Sequence, residues 1–303
     1  MKRDFVAVTD FSEAEIRETL KLAIDIKKKP HHLDVLAGKT VACIFHKPSL
    51  RTRVSFEVGI QQLGGHSLYI TKDEFDLGVR ETIHDAAKVL SRYIQMLMIR
   101  TFSHQSVVEL AHYADFPVIN GLTDLSHPCQ IMADIQTIIE HKGKIDGMKI
   151  AYLGDGNNIA NSWLEAAARL PFDLRIGTSK ETPPDQKILD EAIKAGKSKI
   201  LVTDDPAKAV VNADVIYTDV WASMGQKHLA EQKARLLADF QVNAKLLHKA
   251  DADVIVMHCL PANRGQEITD EVIDGPHSVV FDQAENRLHA QKAIMIKLAR
   301  ESF

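Results

Sequence analysis

Thr40-Val41-Ala42-Cys43-Ile44-Phe45-His46-Lys47-Pro48-Ser49-Leu50-Arg51-Thr52-Arg53 decides the fold class. Its first six residues are apolar and partly β-branched, the signature of a short buried strand. A turn with Pro48 follows, and a helical pattern over 52–63 then runs to Gly64-Gly65, a stop signal. Strand, turn and helix in this order make one βα unit, and the pattern repeats outward from it. Candidate strands at 67–70, 95–100 and 116–119 alternate with helical stretches at 82–92 and 104–114. Upstream, Ser12 followed by Glu15 reads as a capping box that opens a helix to about Lys28. Alternation of this kind builds a mostly parallel sheet with helices packed on it.

The series restarts at Met148. Strands are expected near 149–153, 173–176, 199–203, 214–218, 253–257 and 278–281, with helices between them and a last helix from about Ala284 to Arg300. Pro128 to His141 reads as one unbroken helical connector, and Ala290, Ala293, Ile294 and Leu298 give the last helix an apolar face that has to pack on something. The expected fold is α/β: two doubly wound parallel-sheet domains joined by helices, with the active site in the cleft between them. The expected division is 1–130 with 287–303 as one domain and 131–286 as the other.

Composition sets outer bounds. With 303 residues, 45% of them hydrophobic, the chain can form two cores. Its 37 Lys and Arg against 41 Asp and Glu include no basic run of the kind that grips nucleic acid. No apolar stretch approaches the ~20 residues of a membrane span, so neither nucleic acid nor a membrane is an expected partner and a cytoplasmic location is expected. Cys43, Cys129 and Cys259 are too widely spaced for a metal cluster and odd in number, which predicts free thiols.

The turn between the first strand and its helix is a candidate anion site, because backbone N–H groups and the positive end of the helix dipole converge there. Arg51 and Arg53 stand in the first helical turn, where cations oppose the dipole, a violation that an anion would relieve. Ser49 as a plain helix cap with solvated arginines fits the same pattern. Two further features support the anion. Arg100 closes the apolar run Met96-Leu97-Met98-Ile99, at the strand end where open parallel sheets bind ligands. His127-Pro128-Cys129-Gln130 opens a helix, where a neutral imidazole can donate to a carbonyl oxygen.

In the second half, Gly154-Asp155-Gly156-Asn157-Asn158 follows a strand and looks like a nucleotide turn, but Ile159 stands where a dinucleotide fingerprint needs a third Gly. Asp219 and Ser223 follow the run Val215-Ile216-Tyr217-Thr218, and a carboxylate at that edge suits an ammonium.

Taken together, Ser49-Leu50-Arg51-Thr52-Arg53, Arg100, His127-Pro128-Cys129-Gln130, Asp219-Val220-Trp221-Ala222-Ser223-Met224-Gly225 and His258-Cys259-Leu260-Pro261 resemble the ornithine carbamoyltransferase family, in order and over nearly the whole chain. The last two motifs look like its ornithine branch and not the aspartate branch. The resemblance implies transfer of a carbamoyl group from carbamoyl phosphate to the δ-amine of L-ornithine. It implies that Ser49, Leu50, Arg51 and Thr52 hold phosphate, and that Arg100, His127 and Gln130 hold the carbamoyl end with Arg287 nearby. Asn158, Asp219, Ser223, Met224, Cys259 and Leu260 would contact ornithine, with Asp219 and Cys259 taking the proton of its amine. No metal or organic cofactor is implied, and a homotrimer or a multiple of trimers is.

Three positions depart from the family pattern. Leu50 stands where members often carry Thr, Asn263 replaces a frequent His, and Asp76 replaces a Gln that reaches carbamoyl phosphate in a neighbouring subunit. Rival expectations are a carbamoyltransferase for putrescine or an acylated ornithine, a non-catalytic amino-acid-binding relative, and a nicotinamide-dependent dehydrogenase.

Overall fold

The structure, a computed structural model, describes residues 2–29, 33–222 and 229–302. Two compact units emerge, Met1–Gln136 with Asn286–Phe303 and the contiguous Thr137–Glu285.

Unit 1 opens with helix α1 (Glu13–Lys28), whose Ser12 hydroxyl accepts from the Glu15 N–H while the Glu15 carboxylate accepts from the Ser12 N–H. Strand β1 (Thr40–Phe45) leads into α2 (Leu50–Gln62), and then come β2 (His66–Thr71), α3 (Ile83–Leu90), β3 (Met96–Arg100), α4 (His104–Tyr113) and β4 (Val118–Leu122). All pairings are parallel, in the order β2-β1-β3-β4. One face of the sheet buries Ala42, Ile44, Leu97 and Ile99 against Val107 and Leu110 of α4. Removing such side chains from water supplies most of the driving force for this layer, about 1.5 to 3 kcal/mol for each large one. The chain leaves β1 toward β2 and then crosses to β3 on the other side, so the sheet's switch point lies between β1 and β3. Ligands of open parallel sheets sit beyond the carboxyl ends of strands at such a point.

Helix α5 (Pro128–Lys142) carries the chain into unit 2. There β5 (Lys149–Leu153), α6 (Asn158–Ala167), β6 (Asp173–Gly177), α7 (Gln186–Ala195), β7 (Lys199–Thr203), α8 (Pro206–Val210) and β8 (Val215–Thr218) repeat the alternation. They are followed by α9 (Ala230–Leu237), α10 (Ala244–Leu247), β9 (Ile255–His258) and α11 (Asp270–Ile273). This sheet is again all parallel, in the order β7-β6-β5-β8-β9, and its switch point falls between β5 and β8.

The strand expected at 278–281 is not one. Ser278 makes only an isolated bridge to Val256, and helix α12 (Val280–Ser302) starts four residues before the expected Ala284. Val279 donates to the Val256 carbonyl, Val280 is buried in the unit 2 core, and from there the chain is helical. From Asn286 onward α12 belongs to unit 1, where the Lys292 ammonium donates to Gln62 Oε1 at 2.7 Å. Ala290, Ala293, Ile294 and Leu298 are all buried. Among the described residues no helix is long and apolar enough to cross a membrane.

Candidate active site

In unit 1 the switch point gathers the anion candidates. Ser49 caps α2: its hydroxyl accepts from the Thr52 N–H at 3.3 Å and donates to the Thr52 hydroxyl at 3.1 Å. Capping of this kind contributes about 1 kcal/mol and leaves the N–H groups of the first turn aimed at the site. Leu50 presents an exposed side chain, 75% accessible, so only its backbone can serve an anion. Arg100 ends β3 beside Phe45, and its carbonyl accepts from the His46 N–H at 2.8 Å, fixing the anion loop to the strand.

Arg287 makes the central contact. From α12 its Nη1 donates to Gln130 Oε1 at 2.8 Å and its Nη2 to Thr52 Oγ1 at 2.9 Å. The other end of the Gln130 amide donates to Asp134 at 2.8 Å. Thr52, Arg100, His127, Gln130 and Arg287 are all buried. Burial, with the Arg287 and Arg100 guanidiniums close by, holds the His127 imidazole well below the usual histidine range. The ring is therefore neutral, a hydrogen-bonding group and not a third cation.

That shift has a measurable consequence. A histidine whose folded pKa lies below its unfolded value of about 6.5 binds fewer protons folded than unfolded once pH falls through about 6.5. The stability present at neutral pH is then lost on acidification. His127→Gln should make the fall in Tm between about pH 7.5 and about pH 5.5 shallower than in the wild type, and parallel curves would contradict the assignment.

Arg53 does not join this group. It pairs with Glu57 at 3.0 Å and lies 3.7 Å over the Tyr69 ring, so of the two first-turn arginines only Arg51 remains a candidate for the anion. Asp76 is paired locally, with Lys72 Nζ 3.6 Å from its carboxylate.

In unit 2 the candidates stand at the carboxyl ends of three adjacent strands. Asp219 follows β8 and is buried, Cys259 follows β9, and its thiol donates to Asp219 Oδ1 at 3.0 Å. Burial pushes the Cys43 and Cys129 thiols up to about 12, whereas Cys259 is only half-buried. All three are free thiols. Asn158 is buried as the first residue of α6. Leu260 adopts a left-handed φ of 56°, a conformation that costs an ordinary side chain of order 1 kcal/mol and is seen where surrounding structure imposes it. Ser223 and Met224 lie outside the described residues.

The nucleotide-like turn is filled by the protein itself. Gly156 donates to the Thr182 carbonyl at 2.9 Å, and a Cβ at Gly156 would stand 2.3 Å from the Pro183 backbone. The glycine that would approach a pyrophosphate in a dinucleotide enzyme approaches residues 182–184 instead, which counts against the dehydrogenase expectation.

Two features were missed in the sequence reading. Asn157 touches Asp219: its Nδ2 donates to Asp219 Oδ2 at 2.9 Å. Its place one residue before a helix was the signal, because Asn is a preferred cap. The fully buried His258–Glu267 pair had no local signal. His258 Nδ1 accepts from the Leu260 N–H at 2.8 Å, so Nε2 carries the proton and donates to Glu267 Oε1 at 3.1 Å. The pair holds the turn that presents Cys259.

Residues 3–140 match the model of the aspartate/ornithine carbamoyltransferase carbamoyl-P binding domain, and residues 146–298 match that of the Asp/Orn binding domain of the same family. The chain belongs to the aspartate/ornithine carbamoyltransferase family. An ornithine carbamoyltransferase of Syntrophus aciditrophicus is 52% identical over 299 residues, covering 97% of this chain and 99% of that one. One of Thermococcus kodakarensis is 53% identical over 302 residues, covering 97% and 95%. Among solved structures, ornithine carbamoyltransferase from Pyrococcus furiosus superposes with a TM-score of 0.92 at 49% identity, covering 97% of this chain and 96% of that one. Within this carbamoyltransferase family, then, the anion candidates fall in the carbamoyl-P domain stretch, apart from Arg287, and Asn158, Asp219 and Cys259 fall in the Asp/Orn stretch.

Proposed function

We propose that this protein is an ornithine carbamoyltransferase, transferring the carbamoyl group of carbamoyl phosphate to the δ-amine of L-ornithine to give L-citrulline and phosphate. The structural observation that carries the ornithine assignment is the Asp219–Cys259 pair, a carboxylate hydrogen-bonded to a half-buried thiol at the ligand edge of unit 2, and relatives of that name about 50% identical over 97% of the chain support it.

Ser49, Arg51, Thr52 and the Leu50 N–H hold the phosphate. Arg100, His127 and Gln130 hold the carbamoyl group, with Arg287 fixing Thr52 and Gln130. Asn158, Ser223, Met224 and Leu260 hold the amino acid. Ornithine's δ-amine titrates near a lysine's ~10.4, yet only the neutral amine attacks. Asp219 and Cys259 orient the ammonium, and the Asp219 carboxylate, which also accepts from the Cys259 thiol, takes one proton from it. Nitrogen then bonds to the carbamoyl carbon and negative charge grows on its oxygen. Donors from Thr52, Arg100 and the neutral His127 stabilise that charge by about 2.7 to 4 kcal/mol for each one well placed. The carbon–oxygen bond to phosphate breaks, and phosphate leaves beside Arg51, carrying off the second proton that the attacking nitrogen sheds. The protein works as a homotrimer or a multiple of trimers.

Citrulline and phosphate release from carbamoyl phosphate, measured in parallel with ornithine, putrescine, N-acetylornithine and aspartate, tests the reading. Turnover with ornithine alone is expected. Turnover with another amine alone would keep the carbamoyl phosphate site and overturn the assignment of Asp219 and Cys259, and a monomer by light scattering would overturn the assembly.

A further inference from the structure

We infer that Asn157 is a positioning residue for this reaction, holding Asp219 in the one orientation that turns its other oxygen to Cys259. The inference rests on the proposed ornithine chemistry and deepens it.

The amide of Asn157 has only one orientation open to it. Its Oδ1 lies 2.9 Å from the Ile159 N–H and 3.4 Å from the Ala160 N–H, both obligate donors, so this end must be the oxygen. The Tyr152 phenol stands 3.1 Å from the same oxygen and 2.8 Å from the Asp155 carbonyl. Burial keeps that phenol well above its ordinary range, so it stays protonated and can only support the oxygen as a donor. With Oδ1 committed to the cap, Nδ2 is aimed at Asp219 Oδ2, 2.9 Å away. Asp219 is thus gripped on one oxygen by a group fixed to the start of α6 and meets the Cys259 thiol with the other.

The geometry follows from topology. Asn157 lies just after β5, Asp219 just after β8 and Cys259 just after β9, and these three strands are neighbours in the sheet. Asp219 directly follows β8, and two side-chain torsions set where its oxygens point. The amide fixes that direction with a charge-assisted hydrogen bond. An Asp219 so fixed presents a constant acceptor to an incoming ammonium, which is the condition for effective orientation of a nucleophile.

Asn157 also caps a helix, so cap and positioning must be separated. Asn157→Asp keeps the cap, since aspartate accepts the same N–H groups equally well, but replaces the donor facing Asp219 with a second carboxylate. Asn157→Ser keeps a capping oxygen and is too short to reach Asp219. Both variants should retain the Tm of the wild type to within a few degrees. Both should lower kcat/KM for ornithine by about 10- to 100-fold, with Asn157→Asp the more severe, while KM for carbamoyl phosphate stays near its wild-type value. Wild-type kcat/KM for ornithine in both, or a matched loss for both substrates accompanied by a large fall in Tm, would overturn the inference. A wild-type protein that makes no citrulline would sink the proposed reaction itself, an outcome distinct from active wild type with unchanged variants.

Discussion

Asp219→Asn is expected to lower kcat/KM for ornithine by about 10²- to 10³-fold while KM for carbamoyl phosphate changes little. The new side chain has nearly the same shape, so packing around it is preserved, and the difference lies in charge and hydrogen-bond polarity. Asp219 now accepts on both oxygens, from the Asn157 amide and from the Cys259 thiol. An amide in its place can accept on only one, so one of those two donors would face another donor. It also carries no charge to attract the δ-ammonium or to receive its proton. Steady-state kinetics with each substrate varied in turn separates the two sites. A loss below tenfold would remove Asp219 from the mechanism.

Arg287→Met should be the most damaging change on the carbamoyl phosphate side. Its guanidinium is buried and forks between Gln130 and Thr52, residues 157 and 235 positions away in sequence. Methionine fills similar space without donors. Gln130 Oε1 and Thr52 Oγ1 then lose a charged partner in a buried site, a loss of about 2 to 4 kcal/mol in unfolding free energy by urea titration. KM for carbamoyl phosphate should rise by about 100-fold, because both side chains that Arg287 fixes are proposed to touch that ligand. Stability lost with KM unchanged would make Arg287 a structural residue only.

Much of the fold could be read from local pattern, and the exceptions have physical causes. β1 and α2 were legible because a β-branched apolar run, a proline turn and a glycine pair mark their limits in sequence order. Ser278 to Phe281 misled because Val279 and Val280 are as β-branched as any strand. What decides against a strand there is that, past one bridge, the chain turns helical with Val280 already packed in the core, a tertiary outcome with no local signature. Arg51 and Arg53 share the first turn of α2, and the dipole argument alone does not separate them, although residues two apart on a helix point to different faces. That rule alone would have sent Arg53 to Glu57, one turn further on. The His258–Glu267 pair joins residues nine apart through a turn whose shape appears only in the folded chain. The contact of Asn157 with Asp219 depends on where the α6 cap falls, which two adjacent asparagines leave open in the sequence.

The return of α12 to unit 1 has a consequence for how the molecule is made. Unit 2 is one uninterrupted stretch, Thr137–Glu285, so all of it is synthesised before Asn286–Phe303. Unit 1 is split: its sheet is complete by Leu122, yet Arg287, which holds Thr52 and Gln130, and Lys292, which reaches Gln62, are added only after the whole of unit 2. Domains generally fold as units as they leave the ribosome. Here unit 2 lies whole between the two pieces of unit 1, so a chain interrupted before Arg287 has every residue of unit 2 yet lacks the guanidinium that braces Thr52 and Gln130 in unit 1.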